Sequence, residues 1–467
     1  MPESRVQTLT DRKGMGGVIA YAGFGYQEWA AAARVPHWLA NPAFEAIGLE
    51  MLEDFEATFF EPDAPSANLH RLERFQAKSA TLKRAELVSV LAGFKAFAEG
   101  YSDTVRMQAL ITPDLPAELK WVVRDGFRVA NARPFYHHYP EVMADSDTAY
   151  VAHLSGEFGT GLGPHLVRDI AIELVPHDEG FARAAFARDL HESLGLDWPT
   201  SAVARAFANV CTLLRDRRGS KVGRMALVDA ISDGNPGFAA STTLRLAFVR
   251  GQAQPPSGHL GLDAEDGGHR VGAPAVPYTD GLQKALVNTA GWATGQGYRR
   301  VAVDAPMRLS AAFGLGLAFR PATVFDLDVM TPGGVWSTDA HPAGSNVAEW
   351  TITAPDARTG GRLAVVIGLI RDPVEDVRRF LGQAAPVLHL HLPRAVISAE
   401  DVQSSVRAIK DAVSAATARL APDGIDLFYL GPAVLATALG HRWNALPPTC
   451  FFEHDRTDGY VPTVKTL

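Results

Sequence analysis

The 467-residue sequence predicts an α/β protein with at least two domains, and three observations lead to that prediction. Hydrophobic residues make up 47% of the chain and charged residues 21%, which is the balance of a folded globular protein. The first part predicts helices and strands in mixed order around a compact core. From about residue 240, apolar strands alternate regularly with helices, as in a parallel doubly wound sheet.

Composition also excludes several functional classes. A net charge of −8 argues against a protein coated in positive charge for nucleic acid, although a local basic groove stays possible. The only two cysteines, Cys211 and Cys450, exclude a disulfide framework and a cysteine-built zinc site. The start of the sequence lacks the apolar core of a signal peptide, and no apolar run reaches the length of a membrane span. We therefore expect a cytoplasmic protein.

In the first domain, placed at residues 1–230, helices are predicted over 27–35 and 84–100 and near 117–123. Extended segments are predicted over 46–60, 72–80 and 104–112. Residues 164–230 are predicted to be mainly helical, as an extension of this domain. Two basic clusters of this domain are each interpreted as solvated surface: Arg71, Arg74, Lys78, Lys83 and Arg84, and Arg215, Arg217, Arg218, Lys221 and Arg224.

Acidic residues are the notable feature of segment 46–60. If this segment is one strand, alternation places Glu53 on one face and the following residues on the other: Glu50, Leu52, Asp54 and Glu56. By the same rule Gln76 and Lys78 share a face, while Phe75 and Ala77 turn toward the core. Carboxylates facing a lysine suit phosphodiester cleavage, because they hold a hard cation and the lysine stabilises negative charge. Taken alone, however, such spacing is more often ordinary strand polarity.

An acidic residue followed, after a hairpin, by Gln-x-Lys resembles the PD-(D/E)xK restriction-endonuclease superfamily. The resemblance implies that Asp54, Gln76 and Glu50 bind Mg²⁺ or another divalent metal and that Lys78 is catalytic. Gly23-Phe24-x-Tyr26-Gln27 resembles the first helix of related anti-phage nuclease domains, which implies that Gln27 lies near the active site.

An internal repeat organises the second region, residues 231–467. Segment 301–328 aligns without a gap on segment 427–454, at an offset of 126 residues. The matched pairs are Pro306 and Pro432, Leu309 and Leu435, Ala312 and Ala438, Gly314 and Gly440, Pro321 and Pro447, Thr323 and Thr449, and Phe325 and Phe451. Two related Rossmann-like lobes are therefore predicted, at about 235–330 and 331–467.

Ligands of parallel sheets bind beyond the carboxyl ends of the strands, near helix N-termini that attract phosphate. The repeat places Ala305-Pro306 and Gly431-Pro432 at such junctions, which together predict one composite pocket. Three arginines are candidate contacts to phosphates or bases: Arg308, which follows Pro306, and Arg250 and Arg371, which follow strands. For each arginine, surface placement without a ligand contact is about equally expected.

The segment 426–444 and Tyr460-Val461-Pro462 resemble the SAVED domain, which is similar to two fused CARF lobes. The resemblance covers about residues 235–467. It implies a sensor of a cyclic oligonucleotide, typically a trinucleotide, in CBASS anti-phage defence. Combined with the first domain, it implies an effector whose ligand drives homo-oligomerisation and cleavage of double-stranded DNA.

Two other functions stay open. The protein is alternatively a non-catalytic sensor whose first domain only binds DNA or a protein partner. The two-lobed region is alternatively an enzyme that degrades its own ligand, an interpretation that ranks last because no convincing base or nucleophile is visible there.

Overall fold

The computed structural model describes residues 16–62, 68–101, 104–132, 139–159, 161, 170–233, 243–249, 255–263, 278–304, 307–320, 325–331, 334–338, 349–355, 361–382, 385–395, 399–455 and 459–466. The chain forms two compact units, Met1–Ala240 and Ser241–Leu467. The boundary expected at residue 230 instead lies within the last described helix of the first unit.

The first unit has one six-stranded sheet with the strand order β5-β4-β3-β2-β1-β6. Its strands are β1 (Phe44–Leu49), β2 (Phe55–Phe60), β3 (His70–Ala77), β4 (Val105–Thr112), β5 (Ile170–Leu174) and β6 (Lys221–Gly223). Its described helices are α1 (Gly16–Ala40), α2 (Arg84–Gly100), α3 (Lys120–Ala132), α4 (Pro140–Phe158), α5 (Glu179–Leu194), α6 (Thr200–Asp216) and α7 (Arg224–Ser232). Strands β3, β4 and β5 are parallel, and the other neighbours are antiparallel.

Helices cover both faces of this sheet. On one face, α1 and α5–α7 bury an apolar core that includes the stacked rings of Phe55 and Phe75 beside Trp38. On the other face, α2, α3 and α4 pack over Leu110 through residues such as Leu91 and Phe94. The predicted helical extension is thus integrated into the first core, and it also contributes the edge strands β5 and β6.

The single strand expected over residues 46–60 was wrong. The chain forms two strands, β1 and β2, which pair antiparallel and are joined by a turn over residues 50–54. That turn contains neither glycine nor proline, and its apolar residues Met51 and Leu52 are exposed, so the pattern gave no local signal for a reversal. The predicted face shared by Glu50, Leu52, Asp54 and Glu56 therefore does not exist.

The second unit has two sheets, with the orders β11-β10-β9-β7-β8 and β12-β14-β13-β15-β16-β17. The first sheet consists of β7 (Thr243–Val249), β8 (Leu260–Asp263), β9 (Arg300–Asp304), β10 (Asp326–Thr331) and β11 (Gly334–Ser337). The second consists of β12 (Thr351–Thr353), β13 (Arg362–Leu369), β14 (Val387–Leu392), β15 (Gly424–Leu430), β16 (Thr449–Asp455) and β17 (Gly459–Lys465). The described helices are α8 (Tyr278–Gly295), α9 (Leu309–Ala318), α10 (Val374–Leu381), α11 (Ala399–Leu420) and α12 (Ala433–Arg442).

The central strands of both sheets are parallel, and β11, β12 and β17 are antiparallel edges. The predicted parallel, doubly wound architecture is confirmed. The lobe boundary expected near residue 330 lies inside β10, because β10 and β11 form a hairpin that belongs to the first sheet. Among the described helices, none has both the length and the apolar character that crossing a lipid bilayer requires.

The two repeated helices, α9 and α12, cross at a pair of glycines. A Cβ added to Gly316 would lie within 3.0 Å of backbone atoms of Thr437, Gly440 and His441. A Cβ added to Gly440 would come equally close to the backbone of Phe313. Each glycine thus lies against the residue three positions before the other, which is an approximate two-fold arrangement. The ungapped repeat instead paired Gly440 with Gly314, because α12 begins directly after Pro432 whereas α9 begins three residues after Pro306.

Candidate active site and ligand-binding region

The turn between β1 and β2, residues 50–54, carries three of the acidic residues singled out above. Glu50 has a φ of 53°, a left-handed backbone conformation that costs a non-glycine residue roughly 1 kcal/mol. The Glu50 N–H donates to the Asp54 carbonyl at 2.9 Å, which closes the turn. Glu50 and Asp54 are close enough for the Glu50 charge to raise the pKa of Asp54. We call these residues the acidic turn.

Asp54 is fixed against the neighbouring strand. The Ala77 N–H donates to Asp54 Oδ2 at 2.7 Å. Phe55 of β2 pairs with Phe75 of β3, and extending this antiparallel register by one residue places Asp54 opposite Gln76. Burial raises the pKa of Asp54, whereas the Ala77 hydrogen bond and the Lys78 charge lower it. The structure therefore brings together Asp54 and the Gln-x-Lys segment.

Gln76 lies at the end of β3, and Lys78 directly follows the strand. Phe75 and Ala77 are buried in the first core, so Gln76 belongs to the opposite face. The Lys78 N–H donates to the Ile111 carbonyl at 2.8 Å, which anchors its backbone to β4. Gln76 and Lys78 are both half-buried. The Lys78 charge acts on two residues of the acidic turn, Asp54 and Glu53.

Glu56, expected in the same acidic row, has a different environment. It is buried on β2 and pairs in register with Arg74 of β3. Burial raises the pKa of Glu56, and the charges of Lys221 and Arg74 lower it. Glu56 is therefore part of the interior beneath the site rather than of the accessible carboxylate set.

Arg74, which the sequence placed in a solvated cluster, is a buried support of the acidic turn. Its guanidinium donates to Glu53 Oε1 at 2.8 Å and to Gln108 Oε1 at 3.0 Å. It also lies over the ring of Phe97, 3.4 Å from the centroid. Burial raises the pKa of Glu53, which the Arg74 charge opposes. Arg74 therefore holds the turn that carries Asp54.

Helix α1 approaches the same site. A Cβ built on Gly23 would lie 4.0 Å from Ser79 Oγ, directly after Lys78. Gln27 lies one helical turn after Gly23 and is half-buried, and its position near the site stays a prediction. The neighbouring Glu28 is buried and binds two arginines, Arg215 in the last turn of α6 and Arg218 just after that helix.

Arg218 connects α1 to the acidic turn. Its Nη2 is 2.5 Å from Glu28 Oε1, and its Nε is 3.8 Å from Glu50 Oε2. Sequence reasoning missed Glu28 and Arg218. The available signal was a basic cluster, but nothing local showed that its members have acidic partners almost two hundred residues away.

The donors present suit a hard divalent cation. Within the described ranges, no three His, Cys, Asp or Glu side chains form a metal-site cluster. The predicted set comprises two carboxylates, Asp54 and Glu50, with the Gln76 amide oxygen, and all three offer the oxygen ligands that Mg²⁺ takes. Burial of Asp54 and repulsion from Glu50 both disfavour the ionised form of the Asp54 carboxyl group. A bound cation would offset both effects.

In the second unit, Gly431-Pro432 lies between β15 and α12, as predicted. A Cβ on Gly431 would lie within 3 Å of the side chains of Tyr429 and Leu369, so a larger residue there would displace them. The buried Tyr429 hydroxyl donates to the Pro432 carbonyl at 2.9 Å. Arg371 follows β13, the strand beside β15, and is strongly exposed, with Asp376 at 3.6 Å. Gly431 and Arg371 therefore share one carboxyl edge.

Arg308 is the N-cap residue of α9. The Ser310 hydroxyl of α9 donates to Glu453 near the end of β16, and the Arg308 charge lowers the pKa of Glu453, which burial raises. This contact connects the two lobes at the side where strands of both sheets end. Of the other predicted ligand contacts, Pro306 and Arg250 lie outside the described residues.

Residues 284–465 match the family model of the SMODS-associated and fused to various effectors sensor domain, SAVED. The chain contains a SAVED domain. The match runs from within α8 to the end of β17, so the SAVED domain includes the α9–α12 crossing, Arg308, Arg371 and Gly431. The resemblance inferred from the repeat and the last strands is confirmed.

The chain is also similar over nearly its whole length to two proteins named CD-NTase-associated protein 4. It is 22% identical to the one from Acinetobacter sp. (strain ATCC 27244 / 9458), covering 98% of this chain and 99% of the relative. It is 20% identical to the one from Moraxella osloensis, again covering 98% and 99%.

Solved structures share the fold. The Acinetobacter baumannii Cap4 SAVED/CARF-domain containing receptor with the cyclic trinucleotide 2'3'3'-cAAA superposes with a TM-score of 0.80 at 18% identity, covering 95% of this chain and 98% of the other. The Moraxella osloensis receptor gives a TM-score of 0.75 at 20% identity, covering 96% and 100%. Both units therefore have the architecture of these receptors.

Proposed function

We propose that this protein is a metal-dependent DNA endonuclease that a cyclic oligonucleotide activates. In this proposal the SAVED domain binds the nucleotide, binding drives homo-oligomerisation, and the first unit degrades double-stranded DNA in anti-phage defence. Its site of action is the cytoplasm.

One observation supports the nuclease most directly. The Ala77 N–H holds Asp54 beside the Gln76-Ala77-Lys78 segment, with the Lys78 charge acting on the Asp54 carboxylate. Cleaving a phosphodiester requires negative oxygens that hold a cation and a positive group next to the phosphate. A surface strand without catalytic function does not require a carboxylate and a lysine converging from separate strands.

Each residue has a defined part in this proposal. Asp54, Glu50 and Gln76 provide the oxygen ligands, and Mg²⁺ would supply charge neutralisation and a more acidic water. Lys78, anchored to β4, stabilises the negative charge that develops on the phosphate. Gln27 follows Gly23 by one turn of α1, and Gly23 lies near Ser79, so in this proposal the Gln27 amide orients water or phosphate.

The sensor function rests on the SAVED match and on the geometry of the strand ends. Arg371, Gly431 and Pro432 lie at one carboxyl edge of the second sheet, and the Arg308 charge acts on Glu453 near the end of β16. Arginines and close backbone approach suit a ligand with several phosphates and bases. The solved receptor with 2'3'3'-cAAA makes a cyclic trinucleotide the first ligand to test.

The test is incubation of the purified full-length protein with plasmid DNA and Mg²⁺, alone and with a panel of cyclic di- and trinucleotides that includes 2'3'3'-cAAA and 3'3'3'-cAAA. Degradation that requires one nucleotide supports the proposal, and light scattering in the same mixtures reports oligomerisation. Nucleotide binding without any DNA cleavage would instead make the first unit a binding module.

A further inference from the structure

Arg218 lies beside the acidic turn without belonging to the predicted catalytic set. We propose that Arg218 is a further catalytic residue of the nuclease, whose guanidinium binds a non-bridging oxygen of the scissile phosphate. In hydrolysis, the oxygen of water bonds to phosphorus, one ester P–O bond breaks, the water loses a proton and the leaving oxygen gains one. Arg218 stabilises the negative charge on the phosphate during this exchange. The inference rests on the proposed nuclease function.

Arg215 alone can balance the negative charge of Glu28, so Arg218 is not required for that purpose. Glu28 is buried, and its carboxylate already accepts two hydrogen bonds from Arg215, from Nε at 3.0 Å and from Nη2 at 2.8 Å. One bidentate arginine neutralises one carboxylate. Arg218 adds a second positive charge to the same carboxylate, and that charge is not needed to compensate the burial of Glu28. The other carboxylate within ion-pair distance of Arg218 is Glu50 of the acidic turn.

The position of Arg218 is fixed from three sides. Nη2 contacts Glu28 Oε1 at 2.5 Å, and the guanidinium lies over the Phe24 ring, 4.5 Å from its centroid. The next residue, Gly219, donates its N–H to the Leu49 carbonyl at 2.9 Å, directly before Glu50. Gly219 has a φ of 76°, which favours glycine. The loop is therefore docked onto the strand that leads into the acidic turn.

Arg218 has N–H donors that Glu28 does not use, and one of them, Nε, lies beside the acidic turn. Arginine has five N–H donors, and the contact with Glu28 uses Nη2. Nε lies 3.8 Å from Glu50 Oε2, too far for a hydrogen bond but near enough for an ion pair. The side chains of Arg218 and Glu50 are 28% and 33% exposed, so both are accessible to a substrate. A planar guanidinium held in this way matches the geometry of a phosphate.

The experiment compares wild-type protein, Arg218→Gln, Arg218→Lys and Arg217→Gln in nucleotide-activated plasmid cleavage, with Mn²⁺ binding measured by calorimetry and thermal melting measured in parallel. Arg217 is the neighbouring exposed residue and serves as a matched charge control. We expect Arg218→Gln to lower kcat about 100-fold and Arg218→Lys about 10-fold. Mn²⁺ affinity and melting temperature should stay within about twofold and ~2 °C of wild type, and Arg217→Gln should cleave normally.

The outcomes separate this inference from the nuclease proposal. Wild-type protein that neither cleaves DNA nor binds Mn²⁺ overturns the nuclease itself. Cleavage by wild type and equally by Arg218→Gln overturns only the role of Arg218. Loss of Mn²⁺ binding or of thermal stability in Arg218→Gln also overturns it, because the residue would then support the fold or the metal site. Glu28→Gln keeps the Arg218 guanidinium but removes the carboxylate charge that holds it. This variant should therefore lower kcat by a smaller factor than Arg218→Gln.

Discussion

The acidic turn of the first unit and the helix crossing of the second unit differ in the interactions that they depend on. Around the acidic turn, side chains of both signs lie close together, and burial raises the pKa of both Asp54 and Glu53. At the crossing of α9 and α12, backbone meets backbone through two glycines. The first region depends on electrostatics among residues far apart in sequence, and the second on the absence of side chains.

This difference predicts how each region fails. Removing a charge from the acidic turn should change chemistry more than stability, because the apolar core beneath it persists. Adding atoms or charge to the crossing should change stability first, because close-packed interiors have no space to accommodate either. Three substitutions and a change of pH test this contrast.

Lys78→Ala should lower DNA cleavage about 100- to 1,000-fold, because it removes the positive group next to Asp54. Binding of the cyclic nucleotide should not change, since the SAVED match lies in the other unit. Plasmid cleavage and nucleotide calorimetry on the same preparation measure both effects. Retained cleavage would remove Lys78 from the proposed site.

Acid should destabilise the second unit through His441. This side chain is buried on α12, and its Nε2–H donates to the Phe325 carbonyl at 3.1 Å. Burial lowers the pKa of His441 from 6.5 to about 4. Because the folded-state pKa lies below the unfolded one, its contribution is fully present above pH 6.5 and is lost as the pH falls toward 4.

The expected loss is about 3 kcal/mol over that range. Hydrogen exchange of peptides from α9 and α12, followed between pH 7 and pH 4.5 at corrected exchange rates, measures it locally. His441→Gln should flatten the pH dependence, whereas His454→Gln, at an exposed position of β16, should preserve it. An equally steep dependence in His441→Gln would contradict the assignment.

Gly316→Ala should destabilise the second unit by about 2 kcal/mol, because the new methyl group would meet the backbone of α12. Gly291→Ala on α8 is the matched control. A Cβ there meets no atom within 4 Å, so higher helix propensity should stabilise the unit by about 0.5–1 kcal/mol. Urea unfolding of both variants gives the two free energies, and equal signs would contradict the tight crossing.

Glu50→Gly should stabilise the first unit by about 0.5 kcal/mol, because glycine adopts the left-handed conformation without a steric penalty. Affinity for Mn²⁺ should nevertheless fall, since a carboxylate of the acidic turn is lost. Glu50→Gln keeps the unfavourable conformation and should weaken Mn²⁺ binding without the gain in stability. Thermal melting and calorimetry of the pair separate strain from ligation.

Sequence alone determined most of the regular structure. The apolar strands predicted from about residue 240 onward include β7, β9, β13, β14 and β15, and the parallel sheets follow from the alternation of such strands with helices. The outward position of Gln76 between buried Phe75 and Ala77 followed from strand periodicity as well. These features are local, so a single segment contains the information that specifies them.

Tertiary structure alone decided the rest. The reversal at Glu50–Asp54 has no glycine or proline, and it exists because β1 and β2 both pair within a larger sheet. The contact of Glu28 with Arg218, and the crossing of Gly316 with Gly440, join residues that are far apart in the chain. Periodicity indicates which face of an element is buried, but it does not specify which distant residue that face meets, because that choice is made by the packing of all elements together.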